Sequence, residues 1–380
     1  MAGFGIYVHA PWCRTRCPYC SFNVYADRDA TWDRWASGVA RDWQEAAPAF
    51  LSVAPAAHSV YLGGGTPSLA PPEALAAVLA ALPRAPDAEV TLEANPGTVN
   101  AAGLAGWRTL GVTRLSLGIQ TFNPDYAHLL NRGHTVAQAR ALVAEAADAG
   151  FRSWSVDVIF ALPGQSTDDL RRDLEAILAL RPPHVSLYGL TFEPGTPFGR
   201  AAEAGRMRPP DEAAWRAQYD LTVATLEAGG WERYEVSNFA QPGHRAVHNE
   251  AVWRGGWYAG LGPGAHGFEP SGHRTVATAA PERWLAQPWA SRERPTPSEA
   301  AIDHVLSTLR HTDGLDLRLL ASRAAHTVNL RRLRPALAPP EHAAQPPLLH
   351  REGDHLRLTH AGFPVADGLV ARVCDALVPA

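Results

Sequence analysis

Strand-like apolar runs alternate with amphipathic helical stretches through the first half of the chain, and this alternation restricts the fold more than any other feature. The runs are Gly5–His9, Ser59–Leu62, Glu89–Glu93, Arg114–Ile119, Ser155–Phe160 and His184–Leu190. Stretches with helical apolar spacing lie between them, among them Trp32–Glu45, Pro72–Leu82, Thr135–Ala149 and Thr167–Leu180. Buried strands alternating with helices give an α/β fold with a parallel sheet, and six such units imply a full or partial barrel. Working side chains in such barrels gather at the C-terminal strand ends. A chain of 380 residues leaves room for a second, smaller domain.

The first strand runs directly into Cys13-Arg14-Thr15-Arg16-Cys17-Pro18-Tyr19-Cys20, which holds three of the four cysteines at C-x3-C-x2-C spacing. Three thiolates on one loop can hold three irons of a cubane cluster and leave the fourth iron open for chemistry. A zinc site ordinarily takes two separated ligand pairs, and no second pair exists here. A disulfide framework would leave one thiol odd. Simple burial of three small apolar residues is the remaining alternative. Cys374, in the apolar pattern Leu369–Cys374, reads as core.

Composition narrows the partners. All 34 basic residues are arginine, which excludes a lysine Schiff base and a P-loop lysine. A net charge of −4 gives no reason to expect nucleic acid. The start of the chain shows no signal-peptide pattern, and no apolar run is long enough to span a bilayer. The expectation is a cytoplasmic protein whose thiols stay reduced.

At the end of the second strand stands Leu62-Gly63-Gly64-Gly65-Thr66-Pro67-Ser68. Successive glycines let a ligand approach the backbone closely, and exposed amides there can bind charged ends. Glu93, Gln120, Arg132 and Asp157 also fall at strand ends, just beyond them, or within a strand. Each has a structural alternative: Glu93 as a helix cap, Arg132 paired with Asp148, Asp157 bonded to backbone. A carboxylate between valines in a buried strand is nevertheless costly without a partner. Four such groups on one rim point to a polar ligand.

The cysteine spacing with Tyr19 before the last thiol resembles radical S-adenosylmethionine (SAM) enzymes. Taken together, Tyr7–Cys13, Gly63–Ser68, Glu93-Ala94-Asn95-Pro96, Gly118–Phe122 and Leu162-Pro163-Gly164-Gln165 resemble the oxygen-independent coproporphyrinogen III oxidase family over most of the first 240 residues. The resemblance implies a partial (β/α)6 radical SAM barrel with a 4Fe–4S cluster on Cys13, Cys17 and Cys20. It also implies SAM contacts at Tyr7, Gly64, Gly65, Thr66, Glu93, Gln120, Arg132 and Asp157. Such a site cleaves SAM to a 5′-deoxyadenosyl radical and needs an electron donor.

Within this family, the oxidases carry one more cysteine two residues after the third, where this chain has Phe22. They also carry a long N-terminal segment, which this chain almost lacks. The family's heme chaperones match at Cys20-Ser21-Phe22 and carry a distal H-N-x-x-Y-W element. It appears here as His248-Asn249-Glu250-Ala251-Val252-Trp253, with Val252 in place of the tyrosine. The resemblance thus makes heme a third bound group, His248 its candidate ligand (His244 and His266 are also available), and apo-hemoproteins the acceptors. It also allows a membrane-associated acceptor and a homodimer. Catalysis by such a chaperone is left open. An oxidase that decarboxylates two propionates, or a cluster-bearing scaffold, are the alternative readings.

Helical patterns at Ser298–Arg310 and Leu315–Arg323, a hairpin at Leu348–Leu358 and a helix at Thr359–Leu377 predict a C-terminal winged-helix-like α+β domain. Its mixed charge offers no basic stripe for DNA. The expected organisation is a barrel over 1–240, a connecting segment over 241–290 and the C-terminal domain over 291–380, with Arg292–Pro297 as the boundary.

Overall fold

The computed structural model describes residues 3–337 and 346–380. Six parallel strands stand side by side in chain order: β1 (Phe4–Ala10), β2 (Ala57–Gly64), β3 (Arg84–Ala94), β4 (Arg114–Gln120), β5 (Ser153–Phe160) and β6 (His184–Gly189). Helices α1 (Trp32–Leu51), α2 (Pro72–Ala81), α3 (Ala101–Thr109), α4 (Pro124–Leu129), α5 (Val136–Asp148) and α6 (Thr167–Leu180) make the crossovers. The expected α/β half-barrel is therefore present. All six expected strands form, though β3 begins at Arg84, where it pairs with Ala57 ahead of its apolar run.

The sheet continues past both ends of this core to 12 strands. After α7 (Pro197–Glu203) and α8 (Glu212–Ala228), β7 (Glu232–Arg233) and β8 (Asn238–Ala240) extend the β6 edge antiparallel. On the other side, past α9 (Val247–Trp253), β9 (Trp257–Leu261) pairs parallel with β1. It carries β10 (His266–Phe268), β11 (Arg274–Ala277) and, after α10 (Pro281–Ala286), β12 (Trp289–Glu293). Residues 241–290, read from the sequence as a connecting segment, thus supply strands to the same sheet.

The strands obey a period of two. Val60 and Leu62, Leu115 and Leu117, Val156 and Val158, and Val185 and Leu187 are buried beneath the helices. Each such side chain contributes about 1.5–3 kcal/mol by leaving water. Intervening residues Tyr61, Glu93, Ser116, Gln120, Asp157 and Ser186 line a cavity on the other face. This alternation sets the helices against one side of the sheet and the polar site against the other.

Beyond β12 a C-terminal α+β subdomain forms from α11 (Pro297–Thr308), β13 (Leu315–Asp316), α12 (Leu317–Ala324), β14 (His326–Val328), α13 (Arg334–Leu337), β15 (Leu349–Glu352), β16 (His355–Leu358), α14 (Ala366–Asp375) and β17 (Leu377–Pro379). β15 and β16 make the expected hairpin, while β17 pairs with β14. The last helix starts seven residues later than the expected Thr359. Pro364, which lacks an N–H, holds the preceding turn in 3-10 form. Thr312 N–H donates to Tyr234 O at 3.0 Å and helps join this subdomain to the barrel.

Candidate functional site

The C-terminal strand ends surround a cavity of about 420 Å³. Cys13, Cys17, Cys20, Gly64, Gly65, Thr66, Glu93, Gln120, Arg132 and Asp157 all line it. Ten residues singled out from the sequence therefore meet at one place, from β2, β3, β4 and β5 and from the loops after β1, β2 and α4.

The cysteine loop is held from several sides. Cys13 N–H donates to Tyr25 O at 3.0 Å, and Phe198 N–H, at the start of α7, donates to Pro18 O at 3.0 Å. Tyr19 packs near Phe198 with ring centroids 6.4 Å apart. Behind the sulfurs runs a chain of side-chain bonds. Arg132 Nη2 donates to Asn95 Oδ1 at 2.6 Å, Asn95 Nδ2 to Thr66 Oγ1 at 3.1 Å, and Thr66 Oγ1 to Cys13 Sγ at 3.4 Å. Arg132 Nη1 also reaches Cys17 Sγ and the Tyr19 hydroxyl, each at 3.3 Å. The expected alternative partner of Arg132, Asp148, is not among these contacts.

Burial pushes the Cys13 and Cys20 thiols up, with the Arg132 charge opposing the rise. Metal binding would expel those protons, and the guanidinium would favour the resulting thiolates. Among the described residues, no three His, Cys, Asp or Glu side chains converge on a point fit for a single metal ion. A cubane cluster instead takes one thiolate per iron, so its ligands stand apart around it. Three thiols facing one cavity, with Phe22 at its edge instead of a fourth, suit that donor set.

Two carboxylates face the thiols across the cavity. Glu93 accepts the Tyr61 hydroxyl at 2.8 Å and the Gly64 N–H at 3.1 Å. Burial lifts its carboxyl to about 7, with the charge of Asp157 adding to the rise. Asp157 accepts Ser116 Oγ at 2.9 Å through one oxygen, while its Oδ1 is buried without a partner. Burial raises this carboxyl also. An orphaned acceptor in a polar cavity fits a ligand with amine or hydroxyl donors, as SAM has. Neither carboxylate caps a helix or bonds backbone in the manner of its structural alternative alone.

The glycine turn has a steric reason. Gly64 has φ +109°, and a Cβ there would lie 2.5 Å from the His9 ring; one on Gly65 would lie 2.6 Å from the Trp12 carbonyl oxygen. Gln120 reaches the cavity from a backbone with φ 70°, an unusual conformation for a residue with a side chain. Asp173 on α6 steadies the following turn by accepting Thr121 Oγ1 at 2.8 Å and Phe122 N–H at 2.7 Å.

Two expected residues lie outside the cavity lining. The Tyr7 hydroxyl bonds His9 Nδ1 at 2.9 Å, and its ring lies behind Tyr61 with centroids 6.1 Å apart. His248 is 5% exposed, and its Nδ1 is bonded to Ser59 Oγ at 3.0 Å. Burial pulls its ring down to about 3. The neighbouring Asn249 lines the cavity instead. His244 is bonded to Ser153 Oγ at 3.2 Å, and His266 is exposed on β10.

Asn95, from the Glu93–Pro96 motif, lines the cavity too, and so do Tyr61, Ser116, Ser186 and Tyr188, to which the sequence motifs assign no role. Strand alternation offered a signal: Arg114, Ser116, Gly118 and Gln120 mark every second position of β4 as polar or small.

Comparison with known proteins agrees with this geometry. The family model of the radical SAM superfamily matches residues 7–177. The heme chaperone HemW of Mycobacterium tuberculosis is 36% identical over 384 residues, covering 97% of this chain and 94% of that protein. The mitochondrial radical S-adenosyl methionine domain-containing protein 1 of Danio rerio is 38% identical over 311 residues, covering 79% and 69%. A solved structure of coproporphyrinogen III oxidase (HemN) from Escherichia coli superposes with a TM-score of 0.80 at 20% identity, covering 99% of this chain and 90% of that one. That last likeness concerns the fold alone. Motifs, cavity and full-length similarity together make this chain a member of the HemW-like family of the radical SAM superfamily.

Proposed function

We propose that the protein is a heme chaperone of the radical SAM type: it holds a 4Fe–4S cluster, SAM and heme, and passes heme to apo-hemoproteins. Cys13, Cys17 and Cys20 hold the cluster, whose open iron supplies a point for SAM to bind. Glu93, Asp157, Gln120 and the Gly64-Gly65-Thr66 turn orient SAM, and Arg132 holds the Cys17 side of the loop. Tyr7 acts from behind Tyr61.

The observation that carries this reading is the full-length likeness to a heme chaperone, 36% identical over 97% of this chain, together with a cavity of about 420 Å³ that suits a ligand of SAM's size beside the three thiols. Decarboxylation of a propionate needs the substrate next to SAM, whereas carrying heme does not. Phe22, 63% exposed at the cavity edge, stands where the oxidases have a further cysteine. His248 enters the heme site only if α9 moves to uncover it, since its ring is buried against Ser59.

The test is an anaerobic incubation of reconstituted protein with SAM, a reductant and coproporphyrinogen III, beside a hemin titration. The reading expects one heme bound per chain and no protoporphyrinogen. Steady formation of protoporphyrinogen overturns it in favour of an oxidase, and absence of heme binding leaves only a cluster-bearing scaffold.

A further inference from the structure

Helix α9, which carries the H-N-x-x-x-W element, is lightly bound to the barrel. His248 Nδ1 is bonded to Ser59 Oγ on β2, and the His248 N–H donates to Glu89 on β3 at 3.2 Å. Ala246 and Asn249 line the same cavity as the thiols. Little apolar surface adds to this hold: of the seven residues of α9, His248 and Ala251 are buried, and Val247 is 39% exposed. An element with so few buried apolar contacts belongs to the low-stability end of a fold.

The C-terminal subdomain supplies the rest. Glu250, at an x position of the element, accepts Arg245 Nη1 and Arg254 Nη2, each at 3.1 Å. His311 Nε2, buried and with no closer partner, stands 3.5 Å from the same oxygen. Burial would raise the Glu250 carboxyl, yet His311, Arg254 and Arg245 hold it down at about 2, so it is charged at neutral pH. Arg254 reaches on to Asp313 Oδ2, with Nε at 2.8 Å and Nη2 at 2.7 Å. Arg323 Nη1, on α12, donates to Gly255 O at 2.8 Å, and the Arg310 guanidinium lies 5.9 Å from the Trp253 ring. Four subdomain residues therefore grip one short helix and the turn after it. Partly exposed contacts of this kind are individually weak, and the Asp313 side chain is 52% exposed. They can hold the helix and still be given up.

We propose that the C-terminal subdomain is a latch on α9. While His311, Asp313 and Arg323 hold Glu250, Arg254 and Gly255, the helix lies against the barrel and His248 is withheld from heme. When they let go, α9 swings away and the imidazole is uncovered. The inference rests on the chaperone reading and names what gates its heme element. Apparent affinity and association rate for hemin scale with the fraction of molecules whose α9 is free, so each contact that favours the closed form lowers them.

Asp313→Asn combined with Arg323→Gln cuts the grip from the subdomain side and leaves the H-N-x-x-x-W element intact. Hydrogen exchange of the whole protein, read by mass spectrometry over residues 246–256, reports the helix, and stopped-flow mixing with hemin reports the consequence. Exchange in this segment and the rate of hemin association should both rise about three- to tenfold over wild type, with exchange in β1–β6 unchanged. Asp313→Asn alone, at a half-exposed side chain, gives the same result in smaller measure should the double variant fold poorly. Unchanged exchange overturns the latch while the chaperone reading stands. So does faster exchange with hemin association no faster than wild type, because a purely structural contact would loosen the helix without helping heme. If neither the wild type nor the variants bind hemin, the chaperone reading falls and the latch with it.

Discussion

Replacing Glu93 with Gln should make the protein more stable near neutral pH and worse at holding SAM. The carboxyl is raised from its ordinary 4.5 to about 7, chiefly by burial and then by Asp157. The native state therefore keeps this proton to higher pH than the unfolded chain does. Stability from that proton is full below 4.5 and falls away as pH rises to about 7. At about 1.4 kcal/mol per pH unit, a rise of that size corresponds to about 3 kcal/mol. Contact with cavity water reduces the figure, so about 2 kcal/mol is expected at pH 8. Glutamine keeps the shape and can satisfy both neighbours: its oxygen accepts the Gly64 N–H, and its NH2 group donates to the Tyr61 oxygen. Denaturant unfolding of the cluster-free protein from pH 4.5 to 8.5 would show this. The wild type should lose stability across the window, and Glu93→Gln should lose less. A variant less stable than wild type at pH 8, with the same pH slope, would refute the claim that an uncompensated carboxylate sits there.

Other outcomes follow from the same geometry. Gly65→Ala would press a Cβ to 2.6 Å from the Trp12 carbonyl oxygen, and thermal melts should show a loss of about 1–3 kcal/mol together with weakened SAM binding by calorimetry. Arg132→Met strips donors from Cys17, Asn95 and the Gly118 carbonyl; unfolding should show about 2–4 kcal/mol lost, and the brown absorbance should bleach faster. Anaerobic reconstitution should give about four irons per chain, none in Cys17→Ala and a full complement in Cys374→Ser. Full iron in Cys17→Ala would sink the cluster assignment.

The sequence made the half-barrel legible because β1 to β6 are buried strands with apolar alternation strong enough to stand out locally. β9 to β12 were hidden for the opposite reason: they are only three to five residues long, and β9 carries Gly260 inside it with Gly256 and Gly262 at its two ends. Their place in the sheet depends on β9 pairing with β1, a contact across the whole barrel. The cavity residues were readable where a motif named them, and Cys13, Glu93 and Asp157 all meet. Tyr61 was not, since a tyrosine in an apolar strand looks like core until its hydroxyl is seen on Glu93. His248 shows the reverse. Its motif is plain in the sequence, yet burial against Ser59 and the flanking tyrosines decides which way the ring faces.

Handover of heme is the claim on which the account turns, and stopped-flow mixing tests it. Protein loaded with one hemin per chain is mixed with increasing amounts of an apo-hemoprotein, and the acceptor's Soret band is followed. The account expects the acceptor to fill at a rate that rises with its own concentration, as direct transfer requires. A rate that stays fixed at the spontaneous hemin release rate, whatever the acceptor concentration, would contradict it.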